Sequence, residues 1–217
     1  MKKLLVLLSA LCLILGVTGI SSADTIVLDF EGIGDVTPVG DYYYDDYGVT
    51  FSDNAQAVVD SDVGGSGNIG GLPTPDAALF FLDGDAAVMN VEDGFDTGFS
   101  FYYSAISFAG LVEIYDDTEG GGNLLATFDL PLTPRNGEPD PTGAFSPFLA
   151  IGVEFEGIAK SIAFGGVINK IAFDNITFGS ATAGGSGETS GTPEPATIFL
   201  LGSGLAGVAG LRKKMMK

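Results

Sequence analysis

Between residues 24 and 179 the apolar residues never settle into a sustained stripe of period 3.6. They come in short runs rich in Val, Ile, Phe and Tyr, cut off by Gly, Asp, Asn and Pro. Phe99, Phe101 and Tyr103 alternate with smaller or polar neighbours, and Ile171, Phe173 and Asn175 alternate with Ala172, Asp174 and Ile176. Such runs build strands, and strands are expected at 25–30, 48–52, 57–59, 77–82, 86–91, 98–103, 110–115, 124–130, 151–155, 161–164 and 170–178. Many short strands with frequent turn residues imply an all-β domain, an antiparallel β-sandwich or jelly roll. Pairing the first strand with the last would leave both ends of the domain at one end of the sandwich. Two stretches, 64–76 and 133–147, are too rich in Gly or Pro to hold a ladder and read as surface loops.

The segments outside this domain have a different character. Lys2 and Lys3 precede an apolar run from Leu4 to about Val17, and Ser21-Ser22-Ala23 gives a small-x-small exit. That order describes a secretory signal peptide, residues 1–23, cut before Asp24. Residues 180–192 are almost wholly Gly, Ser, Thr and Ala, a linker with little to bury. Residues 193–217 begin Pro193-Glu194-Pro195, continue through the apolar run 196–211 and reach Arg212-Lys213-Lys214. Sixteen residues make a helix of roughly 24 Å, short of the ~30 Å hydrocarbon core, and the basic cluster can snorkel to close the gap. That cluster also fixes its end of the helix in the cytoplasm.

Composition removes whole classes of function. Residues 24–192 hold 27 Asp and Glu against three basic residues, Arg135, Lys160 and Lys170, a balance of about −24. Such a charge repels nucleic acid and anionic membrane surfaces and favours cations. The chain has no histidine, and its single cysteine, Cys12, lies in the N-terminal apolar run. Histidine-dependent hydrolases, thiol catalysis, disulfides and His- or Cys-ligated zinc are therefore closed to the exported domain. Paired carboxylates can hydrolyse glycosides without histidine, yet no two acids stand out as acid and nucleophile. A non-enzymatic protein is the expectation.

Pro193-Glu194-Pro195, the short Gly- and Leu-rich apolar helix and the Arg212-Lys213-Lys214 cluster resemble the PEP-CTERM sorting signal of Gram-negative bacteria. The resemblance implies recognition by exosortase, an integral-membrane cysteine protease, with cleavage near the Pro-Glu-Pro. It also implies transient anchoring in the inner membrane, then delivery to the cell envelope surface or to the exopolysaccharide of a biofilm matrix. Ile26-Val27-Leu28-Asp29-Phe30-Glu31-Gly32, Tyr47-Gly48-Val49-Thr50-Phe51-Ser52 and Ile171-Ala172-Phe173-Asp174-Asn175-Ile176-Thr177-Phe178-Gly179 are similar to phrases in ectodomains that precede this tail. They also resemble carbohydrate-binding jelly rolls, in which a first-strand Glu and a last-strand Asp hold a structural calcium.

Two constellations stand out against the acidic background. Glu31 and Asp174 each follow a Phe near the end of a terminal strand, and with Asp29, or Asn175 and backbone carbonyls, they offer the hard oxygen ligands that suit Ca²⁺. Asp41-Tyr42-Tyr43-Tyr44-Asp45-Asp46-Tyr47 sets aromatic rings among carboxylates. Tyr42 and Tyr44 can stack on sugar rings while Asp45 accepts hydroxyl hydrogens, although alternating tyrosines also suit sandwich packing. The segment 116–123 reads as a hairpin loop, with neither an EF-hand nor a Gly-Gly-x-Gly-x-Asp spacing. The expected function is that of an acidic surface or matrix protein associated with exopolysaccharide, with a calcium-stabilised carbohydrate-binding module as the alternative and a glycoside hydrolase as a remoter one.

Overall fold

The computed structural model describes residues 25–134 and 143–185. Among these residues twelve strands form two antiparallel sheets: β1 (Ile26–Leu28), β2 (Thr37–Pro38), β3 (Val49–Phe51), β4 (Ala55–Val59), β5 (Ala77–Phe81), β6 (Ala86–Phe95), β7 (Gly98–Ser104), β8 (Gly110–Tyr115), β9 (Leu124–Leu130), β10 (Leu149–Glu154), β11 (Ala159–Gly165) and β12 (Ala172–Phe178). One sheet runs β10-β7-β12-β5-β4-β2, with β1 also paired to β12; the other runs β3-β6-β11-β8-β9. The chain is thus an all-β antiparallel sandwich. All eleven expected strands are present, and the added one, β2, is a two-residue pairing of Thr37 and Pro38 with Ala57 and Gln56. Two residues are too few to leave a period in sequence.

The core is aromatic because Phe residues alternate onto the inner faces of both sheets. Phe99 and Phe101 of β7 and Phe173 of β12 meet Phe128 of β9 and Phe164 of β11, and all but Phe128 are fully buried. The Phe101 and Phe128 ring centroids lie 5.2 Å apart and those of Phe164 and Phe173 5.0 Å, both edge to face. Edge-to-face pairs place the positive rim of one ring on the negative face of the other, so these contacts add to the area buried between the sheets.

The outer face of the larger sheet is not left to solvent. The first weakly patterned stretch, 64–76, and the described residues 143–147 of the second lie over it. Phe145 N–H donates to the Asn68 carbonyl at 3.0 Å and Gly70 N–H to the Phe145 carbonyl at 3.1 Å, so the loops are fastened to each other. Beneath them Val58, Ile69, Ala78, Phe80, Phe148 and Ala172 form a second, smaller apolar cluster. This is why every residue of β12 is buried although its sequence alternates.

Strands β1 and β12 pair antiparallel with Ile26 opposite Phe178, so the chain enters and leaves the sandwich at one end. The packed unit runs on past the expected boundary at residue 179, to Gly185. Ser100 Oγ donates to the Ser180 carbonyl, and Gly184 N–H donates to Thr177 Oγ1 at 3.0 Å. Gly98 and Gly152 make this possible, since a Cβ on either would collide with the backbone at Ser180 and Ala181. Residues 180–185, expected as linker, therefore belong to the domain. The signal peptide at 1–23 and the sorting tail at 193–217 lie outside the described residues. Among those that are described, no helix is long and apolar enough to cross a membrane.

Candidate functional site

The two halves of one edge of β12 are served by different strands. Residues Ile176, Thr177 and Phe178 pair with β1, whereas Phe173 pairs with Leu79 of β5. Between them the pairing of β12 with β7 is interrupted from Asp174 to Thr177, and Asn175 adopts φ +47°. At this handover β1 has ended and β5 has yet to begin. The N–H groups of Asp76 and Ala77, at the head of β5, are satisfied by a side chain: both donate to Glu31 Oε1 at 2.9 Å. Phe30, just before, is held at φ +62°, a strained value for an aromatic residue. Its N–H donates to the Tyr43 hydroxyl at 2.7 Å, and its ring packs edge-on against Tyr43 and Phe51.

Asp174 is fully buried in this gap. One carboxylate oxygen accepts from the Asn175 N–H at 2.6 Å, and the other accepts from Thr74 Oγ1 at 2.9 Å and from the Thr74 N–H at 3.4 Å. Thr74 Oγ1 also lies 3.2 Å from Asn175 Oδ1. Burial pushes the Asp174 carboxyl up to about 8, and the nearby Glu31 charge adds to the rise against the lowering bonds from Asn175 and Thr74. The structure thus brings Glu31 and Asp174 within electrostatic reach across most of the chain's length. Asp29 turns elsewhere: its Oδ1 accepts from the Glu31 N–H at 3.2 Å. Among the described residues no three acidic side chains converge to hold a metal by themselves. Further oxygens would have to come from Thr74, Asn175 and the backbone. Thr74 carried no signal in sequence, because it sits in a loop 100 residues from Asp174.

The tyrosine segment is a turn rather than a strand. Tyr44–Tyr47 form one turn of helix, α1, closed by Gly48 in the left-handed region at φ +65°. Tyr43 points inward and is buried, its hydroxyl raised well above the ordinary phenol range by that burial. Tyr42, Tyr44 and Tyr47 are exposed by 50, 45 and 43 %, which separates them from the core tyrosines. The Tyr42 hydroxyl donates to the Glu31 carbonyl at 3.2 Å, so this ring stands beside the acidic pair. The Glu92 carboxylate beside Tyr44 raises its hydroxyl above the ordinary phenol value, and Asp45 is exposed in the same turn. Tyr47 borders a groove of about 400 Å³ at the mouth between the sheets, a ring the sequence did not single out from its segment.

Residues 192–214 match the PEP-CTERM protein-sorting motif. The chain carries that motif, with Pro193, Glu194, Pro195, Arg212, Lys213 and Lys214 all inside the match, and the motif implies exosortase sorting to the cell surface. These six residues lie outside the described structure. No curated protein matches the chain. Among solved structures the chain is similar to a β-1,3-glucan-binding CBM6 from Bacillus halodurans, at 13% identity and a TM-score of 0.41, over 72% of this chain and 95% of that one. It is also similar to CsCBM6-3 from Clostridium stercorarium in complex with cellobiose, at 14% identity and a TM-score of 0.39, over 72% and 93%. The assignment of the two sheets rests on the strand register above, not on these likenesses.

The buried carboxyl makes a pH prediction for the metal-free protein. Asp174 has a folded pKa above its value of 3.8 in the open chain. Its contribution to stability is therefore fully present below about pH 4 and is lost as pH rises through about 8. In chelator, Asp174→Asn keeps the shape without the charge. It should gain stability over the parent as pH rises from 5 to 8, by up to about 1.4 kcal/mol per unit. Denaturant melts at four pH values check this; parallel curves for the two proteins would refute it.

Proposed function

We propose that the chain is exported, held briefly in the inner membrane, processed by an exosortase near Pro193-Glu194-Pro195 and delivered to the cell surface or extracellular matrix. There the sandwich acts without catalysis, by contact with exopolysaccharide. The sorting motif supports the first half of this reading. The second half rests chiefly on one observation: three half-exposed tyrosines on a turn whose fourth, Tyr43, is anchored in the core. A ring fixed in place from below can stack on a sugar with little further loss of freedom, and Asp45 beside it can accept hydroxyl hydrogens.

A hydrolase is the reading that the acidic pair would otherwise invite, since perturbed carboxylates gather at active sites. Glycoside cleavage needs two carboxyl groups facing a substrate. Asp174 is fully buried, and one oxygen of Glu31 is occupied by two backbone N–H groups. The pair is better suited to holding the fold. A structural Ca²⁺ at Glu31 and Asp174, completed by oxygens of Thr74 and Asn175, fits the donor set. It would relieve the repulsion between two carboxylates brought together in a domain with very few basic residues.

Three measurements test these readings. Replacing Pro193, Glu194 and Pro195 with Ala should strand a longer form in the inner membrane; the full apolar tail on surface-localised wild-type protein would overturn processing. Tyr42→Ala with Tyr44→Ala should abolish retention on extracted exopolysaccharide while leaving the melting temperature nearly unchanged. Tyr43→Ala, by contrast, should cost about 3–5 kcal/mol, as large-to-small core changes do; retention by the stable double variant would dismiss the tyrosine face. Millimolar calcium should raise the melting temperature above that in chelator or in magnesium of equal ionic strength, by about 2.7 kcal/mol at a hundredfold excess over Kd. Equal melts in all three would reject the calcium site.

A further inference from the structure

The groove beside Tyr47 differs in charge from a second groove of its size. Its floor is apolar: Ile26 of β1, Val91 and Phe95 of β6, and Phe178 of β12. Ile158, 57 % exposed, forms one wall and the half-exposed Tyr47 ring another. The wall at Ile158 depends on Gly94, at φ +71°, because a Cβ there would meet the Ile158 side chain and the Ala159 carbonyl. Two exposed carboxylates, Asp93 and Asp96, complete the lining, and no lining residue is basic. Glu92, also exposed, stands next along β6. One base, Lys160 of β11, has its side chain beside Gly94. A second groove of about 400 Å³, on the outer face of the larger sheet, is lined instead by Phe80, Asn68 and Lys170.

An apolar floor, one flat aromatic ring and two carboxylates favour a ligand that is amphipathic and cationic. A uronic-acid polymer would meet both the local carboxylates and the overall negative charge of the domain. A neutral sugar would cover Asp93 and Asp96 and return only hydroxyl bonds for the water it displaced. An ammonium group on the sugar supplies three donors to those carboxylates and a cation to the face of Tyr47, while the C–H face of the ring lies on the apolar floor. We propose that this groove binds a cationic polysaccharide, one whose hexosamine units carry free primary ammonium groups. The assignment rests on the reading that the sandwich contacts extracellular polysaccharide, and it names the class of sugar and the place.

The test is titration calorimetry of the full chain in detergent with glucosamine hexamer, its fully N-acetylated counterpart, cellohexaose and oligolysine. The glucosamine hexamer should bind about tenfold or more tightly than its N-acetylated form or cellohexaose. That preference should shrink in high salt. Tyr47→Ala should weaken binding, and because Tyr47 also touches Tyr43, the double variant Asp93→Asn/Asp96→Asn serves as a second probe with both sites exposed. It should lose the preference while keeping the parent melting temperature, and Lys170→Ala, in the other groove, should change nothing. Equal binding of the neutral hexamers, or a preference that survives in the double variant, would overturn the proposal. So would oligolysine binding as tightly as the amino sugar, which would point to a basic protein partner. Retention on extracted exopolysaccharide separates the two levels. A chain retained there but blind to glucosamine hexamer refutes this inference alone, whereas a chain retained on neither refutes the polysaccharide reading as well.

Discussion

Strand β12 is the member on which the other parts of the sandwich lean. It pairs with β7 along one side and is shared by β5 and β1 along the other. Its inner residues, Phe173 among them, enter the aromatic core, and its outer ones lie under the two fastened loops. A strand so enclosed must satisfy its backbone groups largely within the protein. The sharing of one edge between two strands makes that difficult at one place, the step from Phe173 to Ile176.

Acidic side chains resolve the difficulty locally. Glu31 accepts the two N–H groups that open β5, and Asp174 accepts those of Asn175 and Thr74. Each bond is favourable, but together they set a half-buried carboxylate, Glu31, close to a fully buried one, Asp174. The result is a buried carboxyl held far above its ordinary range. Backbone strain collects at the same spot, at Phe30 and Asn175. Tyr43 braces Phe30 from outside, and in doing so fixes the turn that carries the exposed tyrosines. The structural node and the candidate binding face are thus mechanically one region.

The acidity of the domain has a different origin and consequence. Most of its carboxylates lie on loops and strand rims, where hydration is undisturbed and repulsion is screened by salt. They keep the exported domain soluble and tune what it can approach. In the proposed groove, the Tyr47 ring set among such carboxylates would turn a general repulsion of anions into a local preference for cations with an apolar face. The sorting motif delivers that surface to the outside of the cell, so the two properties work in sequence.

Much of this protein was legible in residue order. The period of two in Phe99–Phe101–Tyr103 and the Gly, Asp and Pro breaks gave the strands, because alternation is a local consequence of the pleat. The sorting motif was legible for the same reason: its parts are contiguous. The pairing of first strand with last was expected because it leaves both ends of the domain together, and Glu31 and Asp174 stood out because each follows a Phe near the end of a terminal strand. Other features had no local signature. Thr74 joins Asp174 only because a Gly-rich loop folds back over the sheet, and β12 is buried on both faces only because that loop and its partner cover it. Residues 180–185 look like linker and pack because Gly98 and Gly152 leave room. Tyr43 and Tyr47 are alike in sequence context; one is core and the other lines a groove, since a single helical turn points them in different directions. Local periodicity and contiguous motifs were settled by the sequence, whereas contacts across long stretches of chain, which depend on which surfaces must be buried together, were decided only by the tertiary structure.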